Sequence, residues 1–317
     1  MKENKKIAVV IPCYKVSRHI TEVLVAVPEW IDHIIVVDDA CPEGSGNMVK
    51  GLCLDKVSVI CHQNNKGVGG AVLSGFRKAI EFRCDIVVKL DGDGQMCPGH
   101  IGKLIQPLLD NAADYTKGNR FHDFKALKCM PKIRLFGNSV LSFIIKAASG
   151  YWNIMDPTNG FLAISSKTLQ DLNLDKIGKG YFFETDMLIH LNLVDKVVQD
   201  IPISAIYNDE ISSLCIRNVV LTFPFRMMKG LIKRLLFKYY IYNFNMASIY
   251  LLVGLPLLLF GFVLGSYKWR IGAMENMENS AGTIMLAALP ILLGMQFLLQ
   301  AISIDIANVP KRSPSQS

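Results

Sequence analysis

Along the first 120 residues short apolar runs alternate with amphipathic stretches, and the runs close on turn-forming or acidic residues. Ile7 to Ile11 is closed by Pro12, Ile34 to Val37 by Asp38 and Asp39, and Cys84 to Leu90 (CDIVVKL) by Asp91, with Val57 to Cys61 as a further run. Between them the pattern predicts helices from Ser17, as N-cap, to Val27, around Gly46 to Leu54, and from Val68 to Phe82, the last opening on glycines. Continuous apolar strands of this length suit a sheet buried on both faces, and their alternation with helices predicts a doubly wound, Rossmann-like parallel α/β sheet. Right-handed crossovers then place Pro12-Cys13-Tyr14, Asp38-Asp39, Asn64 to Gly70 and Asp91 to Gln95 along one edge, where open α/β sheets bind ligands. A later strand is expected over Lys196 to Ile203.

The pattern changes in the last third of the chain. From Val219 to Tyr242, Arg226, Lys229 and Lys233 recur at helical spacing among Phe, Met, Leu and Tyr, as in a helix lying at a membrane interface with its basic face toward anionic lipid. Met246 to Gly265 and Ala281 to Ile304 contain no charged residue, and each is long enough to cross a bilayer core of about 30 Å. These runs account for a hydrophobic content of 51%. The segment from Ile211 to Asn245 carries basic residues and no acid, whereas the loop from Ser266 to Ser280 balances Lys268 and Arg270 against Glu275 and Glu278. The positive-inside rule therefore predicts a multi-pass protein with its N-terminal region and C-terminal tail in the cytoplasm. The net charge of +7 is largely local to the membrane-proximal segment, which argues for anionic lipid and against nucleic acid. All eight cysteines precede the first span with no CxxC pair, as expected of reduced thiols in a cytosolic domain, and no secretory signal is read at the N-terminus. The expected organisation is a catalytic domain over 1–215, an interfacial segment over 216–245, two spans within 246–304 and a tail over 305–317.

The predicted edge has a chemical logic. Asp91 and Asp93, spaced i, i+2 on an expected extended backbone at the strand end, would point the same way and offer with Gln95 hard oxygen ligands for Mg²⁺ or Mn²⁺, ions that keep waters and complete their shells with phosphates. A strand-to-turn punctuation is the plain alternative for any one Asp-Gly pair. Asp39 can accept from a base N–H, Tyr14 offers a ring face, and Asn64 to Gly70 (NNKGVGG) offers backbone N–H groups, a helix N-terminus and the Lys66 cation to ribose and phosphate. Neither a P-loop GK[ST] nor a GxGxxG fingerprint is present, which disfavours an ATPase or a dinucleotide dehydrogenase.

Taken in order, IPCYKVSRHI, VVDDACPEGS, NNKGVGGAVLSGF, DGDGQMCP, GNR at 118–120, DPTNGF at 156–161 and YFFETDM at 181–187 resemble the motifs of family 2 glycosyltransferases. They are most similar to the polyprenyl-phosphate branch, which includes dolichyl-phosphate mannose synthase and bacterial lipid-linked glucosyl transferases. The resemblance covers about the first 215 residues. It implies a GT-A nucleotide-sugar fold, a UDP- or GDP-linked donor, a polyprenyl phosphate acceptor, Mg²⁺ or Mn²⁺, and inverting transfer at the cytoplasmic face. A bacterial inner membrane is expected in preference to the endoplasmic reticulum, and a homo-oligomer is compatible with it.

Carried over residue by residue, the resemblance implies that Pro12, Tyr14, Asp39 and Lys66 contact the nucleoside and that Asp91 lies near ribose and metal. Asp93 and Gln95 would hold the metal on the diphosphate. Arg120 would meet an anionic phosphate, as its fork of donors suits; pairing with Asp114 or Asp123 is the alternative. Asp156 is implied as an acceptor-side catalytic acid, on a loop that Pro157 keeps from helix and Gly160 lets turn. A phosphate acceptor is already anionic at neutral pH, so Asp156 is expected to orient as much as to deprotonate; an Asx-type brace is the alternative. Asp38 reads equally as ligand or turn residue. Glu184 is a site candidate by resemblance, although acids such as Glu184 and Asp186 also suit a helix N-terminus, and Tyr181, Phe182 and Phe183 are expected in the core. Lys132 to Ser149 reads as a helix over the acceptor pocket or as an ordinary core helix. Tyr207 to Ser213 departs from the family by placing Asp209 and Glu210 where relatives carry a cation, with Arg217 as a substitute. Two other functions stay open: extension of a lipid-linked glycan or polysaccharide, and a catalytically inactive nucleotide-binding membrane partner.

Overall fold

The computed structural model describes residues 5–122, 132–204 and 216–312. Asp123 and the acidic stretch Tyr207 to Ser213 lie outside the described residues. The chain divides into two compact units, one running to Leu231 and resuming at Pro310, the other Ile232–Val309.

The first unit is built on a seven-stranded sheet. In chain order its elements are β1 (Ile7–Cys13), α1 (Ile20–Ala26), β2 (His33–Asp38), α2 (Ser45–Gly51), β3 (Val57–Cys61), α3 (Gly67–Glu81), β4 (Ile86–Lys89), α4 (Ile101–Leu109), β5 (Tyr115–Asn119), α5 (Lys132–Ser149), β6 (Leu162–Ser165), α6 (Ser166–Asp171), α7 (Phe183–Leu193) and β7 (Val198–Pro202). The strand order is β3-β2-β1-β4-β6-β5-β7. As the sequence predicts, β1 to β4 are mutually parallel where they pair. Their alternate residues pack into helices on both faces, and Ile7, Val9, Ile11, Val36 and Val88 lie in one core with Leu104 and Ile105 of α4.

Three expectations change. The sheet is mixed, because β6 pairs antiparallel with both β4 and β5, while β7 extends β5 in parallel. The reason is where the chain enters: the Asp156 to Phe161 loop lies beside the C-terminal end of β5, so the following strand must run back from that edge. Ser17 does not cap α1; its hydroxyl donates to Glu43, and the helix begins after His19 without a side-chain cap. Residues 92–93 form a turn instead of an extended segment, and Gly94 has φ +75°, a left-handed conformation that glycine adopts without a Cβ clash.

The second unit contains the end of α8 (Ile216–Leu236), a π-helical turn over Phe237–Tyr242, α9 (Met246–Glu275) and α10 (Ala281–Ala307). Both long helices are apolar and long enough to cross a membrane. They exceed the spans predicted from hydropathy: α9 continues to Glu275 through most of the expected loop and stops at Asn276, whose left-handed φ of 48° is a helix-ending conformation. Tyr250 stacks on Phe297 at 5.6 Å between the two helices. Arg234, which lies in the basic segment from Ile211 to Asn245, is buried, and its guanidinium meets the Asp305 carboxylate at 2.7 and 3.0 Å. Tyr239 donates to the same carboxylate at 2.6 Å. A charge pair without water persists only when its hydrogen bonds are satisfied in this way.

Candidate active site

The predicted edge carries the site. Pro12 is buried within β1 opposite Val37, the strand ends on the buried Cys13, and Tyr14 follows half-exposed, with the Lys15 ammonium 5.5 Å from its ring centre. Asp38 accepts from the N–H groups of Cys41 at 2.7 Å and Gly46 at 2.6 Å, so it braces the turn after β2. Asp39 is buried and accepts from His62 Nδ1 at 2.7 Å and from the Lys66 N–H at 2.8 Å. Both bonds fall on Oδ1, so among the described residues Oδ2 remains to meet a ligand. His62 is held in turn by Ser74 Oγ at 2.9 Å from Nε2.

The Asn64 to Gly70 loop is less open than expected. Lys66 serves Asp39 through its backbone while its side chain is exposed. The N–H of Gly67 donates to Asn65 and that of Gly70 to the Lys179 carbonyl at 2.9 Å. The glycines here admit the backbone of Gly178 to Gly180, which removes amides that the sequence offered to phosphate. Asp186 fastens that segment by accepting from the Gly178 N–H at 2.7 Å.

At the end of β4, Asp91 is partly exposed and Asp93 accepts from the Gln95 N–H at 3.0 Å. Among the described residues no group of three or more His, Cys, Asp or Glu side chains is gathered to hold a metal. The donor set at this turn is two carboxylates and an exposed amide, which fits a hard divalent cation that keeps waters and substrate phosphates in its shell. Asp91 has a resident partner, however. Lys89, whose side chain is 1% exposed, places Nζ 2.9 Å from Asp91 and 3.2 Å from Glu184 in the first turn of α7. Burial by itself would lower the Lys89 pKa, but the two carboxylates outweigh it and push it up.

On the other side of the edge, Arg120 and Asp156 meet. Nε lies 2.7 Å and Nη2 3.1 Å from the carboxylate, and the Arg120 N–H and Thr158 hydroxyl add longer bonds at 3.3 Å. Asp156 is completely buried, while the Arg120 side chain is 37% exposed. The sequence-level alternative partner, Asp114, binds Arg312 instead. The loop carrying Asp156 is braced beneath by Lys117 of β5, which donates to the Asn159 carbonyl, and by Asn159 itself, which donates to the Gly118 carbonyl. Asp200, raised to about 6 by burial, accepts from the Met155 N–H at 2.6 Å. Phe143 of α5, Met155 and Tyr181 are exposed, and Phe182 and Phe183 are buried, so Tyr181 alone of the three aromatics departs from the expected core. A cavity of about 790 Å³ lined by Lys5, Arg83, Asp85 and Lys167 opens at the opposite end of the sheet and contains none of the candidate site residues.

A family model for glycosyl transferase family 2 matches residues 8–172, which span every strand end described above from β1 to β6. The chain belongs to this family. It is 33% identical over 221 residues to a UDP-N-acetylglucosamine–dolichyl-phosphate N-acetylglucosaminyltransferase of Methanococcus voltae, covering 65% of this chain and 88% of that one. It is 32% identical to an undecaprenyl-phosphate mannosyltransferase of Micrococcus luteus, covering 56% and 73%. In fold it is similar to the Mycobacterium tuberculosis glucosyl-3-phosphoglycerate synthase bound to Mn²⁺, UDP-glucose and phosphoglyceric acid, with a TM-score of 0.53, 17% identity, and coverage of 73% and 80%. The architecture of this glycosyltransferase is therefore GT-A.

Lys89, Lys117 and His62 escaped the sequence reading. Lys89 and Lys117 are both register partners of Leu162, one from each side, so they project from the same face of the sheet. The signals available were a lysine closing the apolar run CDIVVKL and a lysine in the middle of the strand YTKGN. Burial lowers the Lys117 pKa to about 8, against the pull of Glu184 and Asp156. The unfolded chain binds that proton more tightly, so wild-type stability should rise relative to a Lys117→Met variant as pH increases from 8 to 10.5, by about 2 kcal/mol. Unfolding midpoints of the two proteins across that range check this, and a difference independent of pH would refute it.

Proposed function

We propose that this glycosyltransferase transfers a sugar, with inversion, from a nucleoside-diphosphate sugar to a polyprenyl phosphate at the cytoplasmic face of a membrane, using a divalent metal. The observation that carries the reading is the convergence, on one sheet edge, of the Asp39 pocket, the Asp91-Gly92-Asp93-Gly94-Gln95 turn and the Arg120–Asp156 pair. The acceptor class is supported by the relatives, whose names specify dolichyl and undecaprenyl phosphate.

Asp39 Oδ2 accepts from a base N–H while Tyr14 covers the base face. Asp91, Asp93 and Gln95 would hold the metal, which when bound would neutralise charge on the departing diphosphate. Arg120, pre-oriented by the buried Asp156, receives the acceptor phosphate through its exposed part. Because the acceptor oxygen is already anionic, the residues around it align attack and exclude water more than they remove a proton. The exposed Phe225, Met228, Ile232 and Leu236 of α8, beside Arg226 and Lys229, suit a helix that lies at a membrane interface.

The test is transfer of radiolabelled sugar from a panel of UDP- and GDP-sugars to undecaprenyl and dolichyl phosphate in detergent, with and without Mn²⁺ or Mg²⁺. The expected product is a labelled lipid formed only with metal. No product from folded protein across the panel would reject the acceptor assignment.

A further inference from the structure

Lys89 lies at this edge, and the proposed mechanism gives it no task. It closes β4 with β1 on one side and β6 on the other, its register partners being Val10 and Leu162. The loop after Asp156 roofs it: a Cβ on Gly160 would stand 2.5 Å from both Lys89 Nζ and Asp91 Oδ2. Only a glycine lets backbone lie this close, so the ammonium is fixed between Asp91 at 2.9 Å and Glu184 at 3.2 Å, away from water. Divalent hard cations sit about 2.0–2.6 Å from carboxylate oxygens, so an ion bridging the same two acids would need the place the ammonium holds.

We propose that Lys89 is a positioning residue that acts as a built-in counter-cation of the metal site. Its ammonium neutralises Asp91 and ties it to Glu184, which makes the protein alone a poor site for a free divalent ion and couples metal binding to arrival of the donor diphosphate. The inference rests on the metal reading above and deepens it. Lysine at this position costs affinity for the bare ion through like-charge repulsion, while the diphosphate brings the negative charge that offsets it. In its absence Asp91 and Glu184 would face each other uncompensated, and a divalent ion would restore neutrality.

The experiment measures Mn²⁺ binding by electron paramagnetic resonance on the full chain in detergent, alone and with UDP or GDP. Wild type should bind Mn²⁺ about tenfold or more tightly with one of the nucleotides than without. Lys89→Met should gain about tenfold or more in nucleotide-free Mn²⁺ affinity, and adding Glu184→Gln to it should remove that gain. Lys89→Gln, whose amide hydrogen-bonds both acids, carries the same expectation should the methionine variant fail to fold. Folded Lys89 variants that bind Mn²⁺ no better than wild type without nucleotide, beside a wild type that binds it with nucleotide, would overturn this inference and leave the metal reading standing. A wild type indifferent to nucleotide would also overturn it. A wild type that binds no Mn²⁺ with either nucleotide would remove the metal reading and the role of Lys89 together.

Discussion

Asp93→Asn is expected to lower the rate of sugar transfer by about a thousandfold while leaving the thermal unfolding midpoint close to wild type. The two readouts separate because the side chain does two things. Its Oδ1 accepts from the Gln95 N–H at 3.0 Å, and an asparagine carbonyl can accept that bond, so the turn at the end of β4 survives. The negative charge that the proposed hard cation needs would not survive, and the departing diphosphate would then lose its neutralising partner. Transfer assays at saturating Mn²⁺ and a melting curve on the same preparation measure both. Near wild-type turnover would remove Asp93 from the metal site.

Arg120→Ala should be the more damaging half of the Arg120–Asp156 pair. Asp156 is fully buried, so deleting the guanidinium strands a carboxylate with no water to solvate it, at a cost of about 3–5 kcal/mol. Asp156→Asn leaves the charge on Arg120, whose side chain is 37% exposed and can be hydrated, so its cost should be about 1–2 kcal/mol. Adding Asp156→Asn to Arg120→Ala should recover part of the lost stability, because the double variant buries no unpaired charge. Melting temperatures of the three proteins give the ranking, and equal destabilisation by the two single variants would refute it. In transfer assays Asp156→Asn should raise KM for the lipid phosphate more than for the nucleotide sugar, as the proposed role of orienting Arg120 requires.

Much of the framework was legible beforehand because it depends on neighbours in sequence. Val57 to Cys61 is read from its apolar run and observed as β3 with the same bounds, and the parallel β1 to β4 follow from strand-helix alternation. The reversal of β6 was not legible, because strand direction there is decided by the edge at which the Asp156 loop delivers the chain. Asp38 could be read as ligand or brace until the amides of Cys41 and Gly46 were placed against it. The glycines after Asn65 were legible as a source of backbone N–H groups for phosphate, but what packs against them is the Gly178 to Gly180 backbone. The extra length of α9 was hidden because Lys268, Arg270 and Glu275 end an apolar run without ending a helix.

The α/β alternation, the acidic turn at the end of β4, the pair of long apolar helices and the family motifs are all written in local patterns of the chain, and so are legible before it folds. Tertiary structure alone decided which charges neutralise which. Lys89 meets Glu184 across 95 positions and Arg120 meets Asp156 across 36, and each pair is governed by desolvation and hydrogen-bond geometry that exist only once the chain has closed over them.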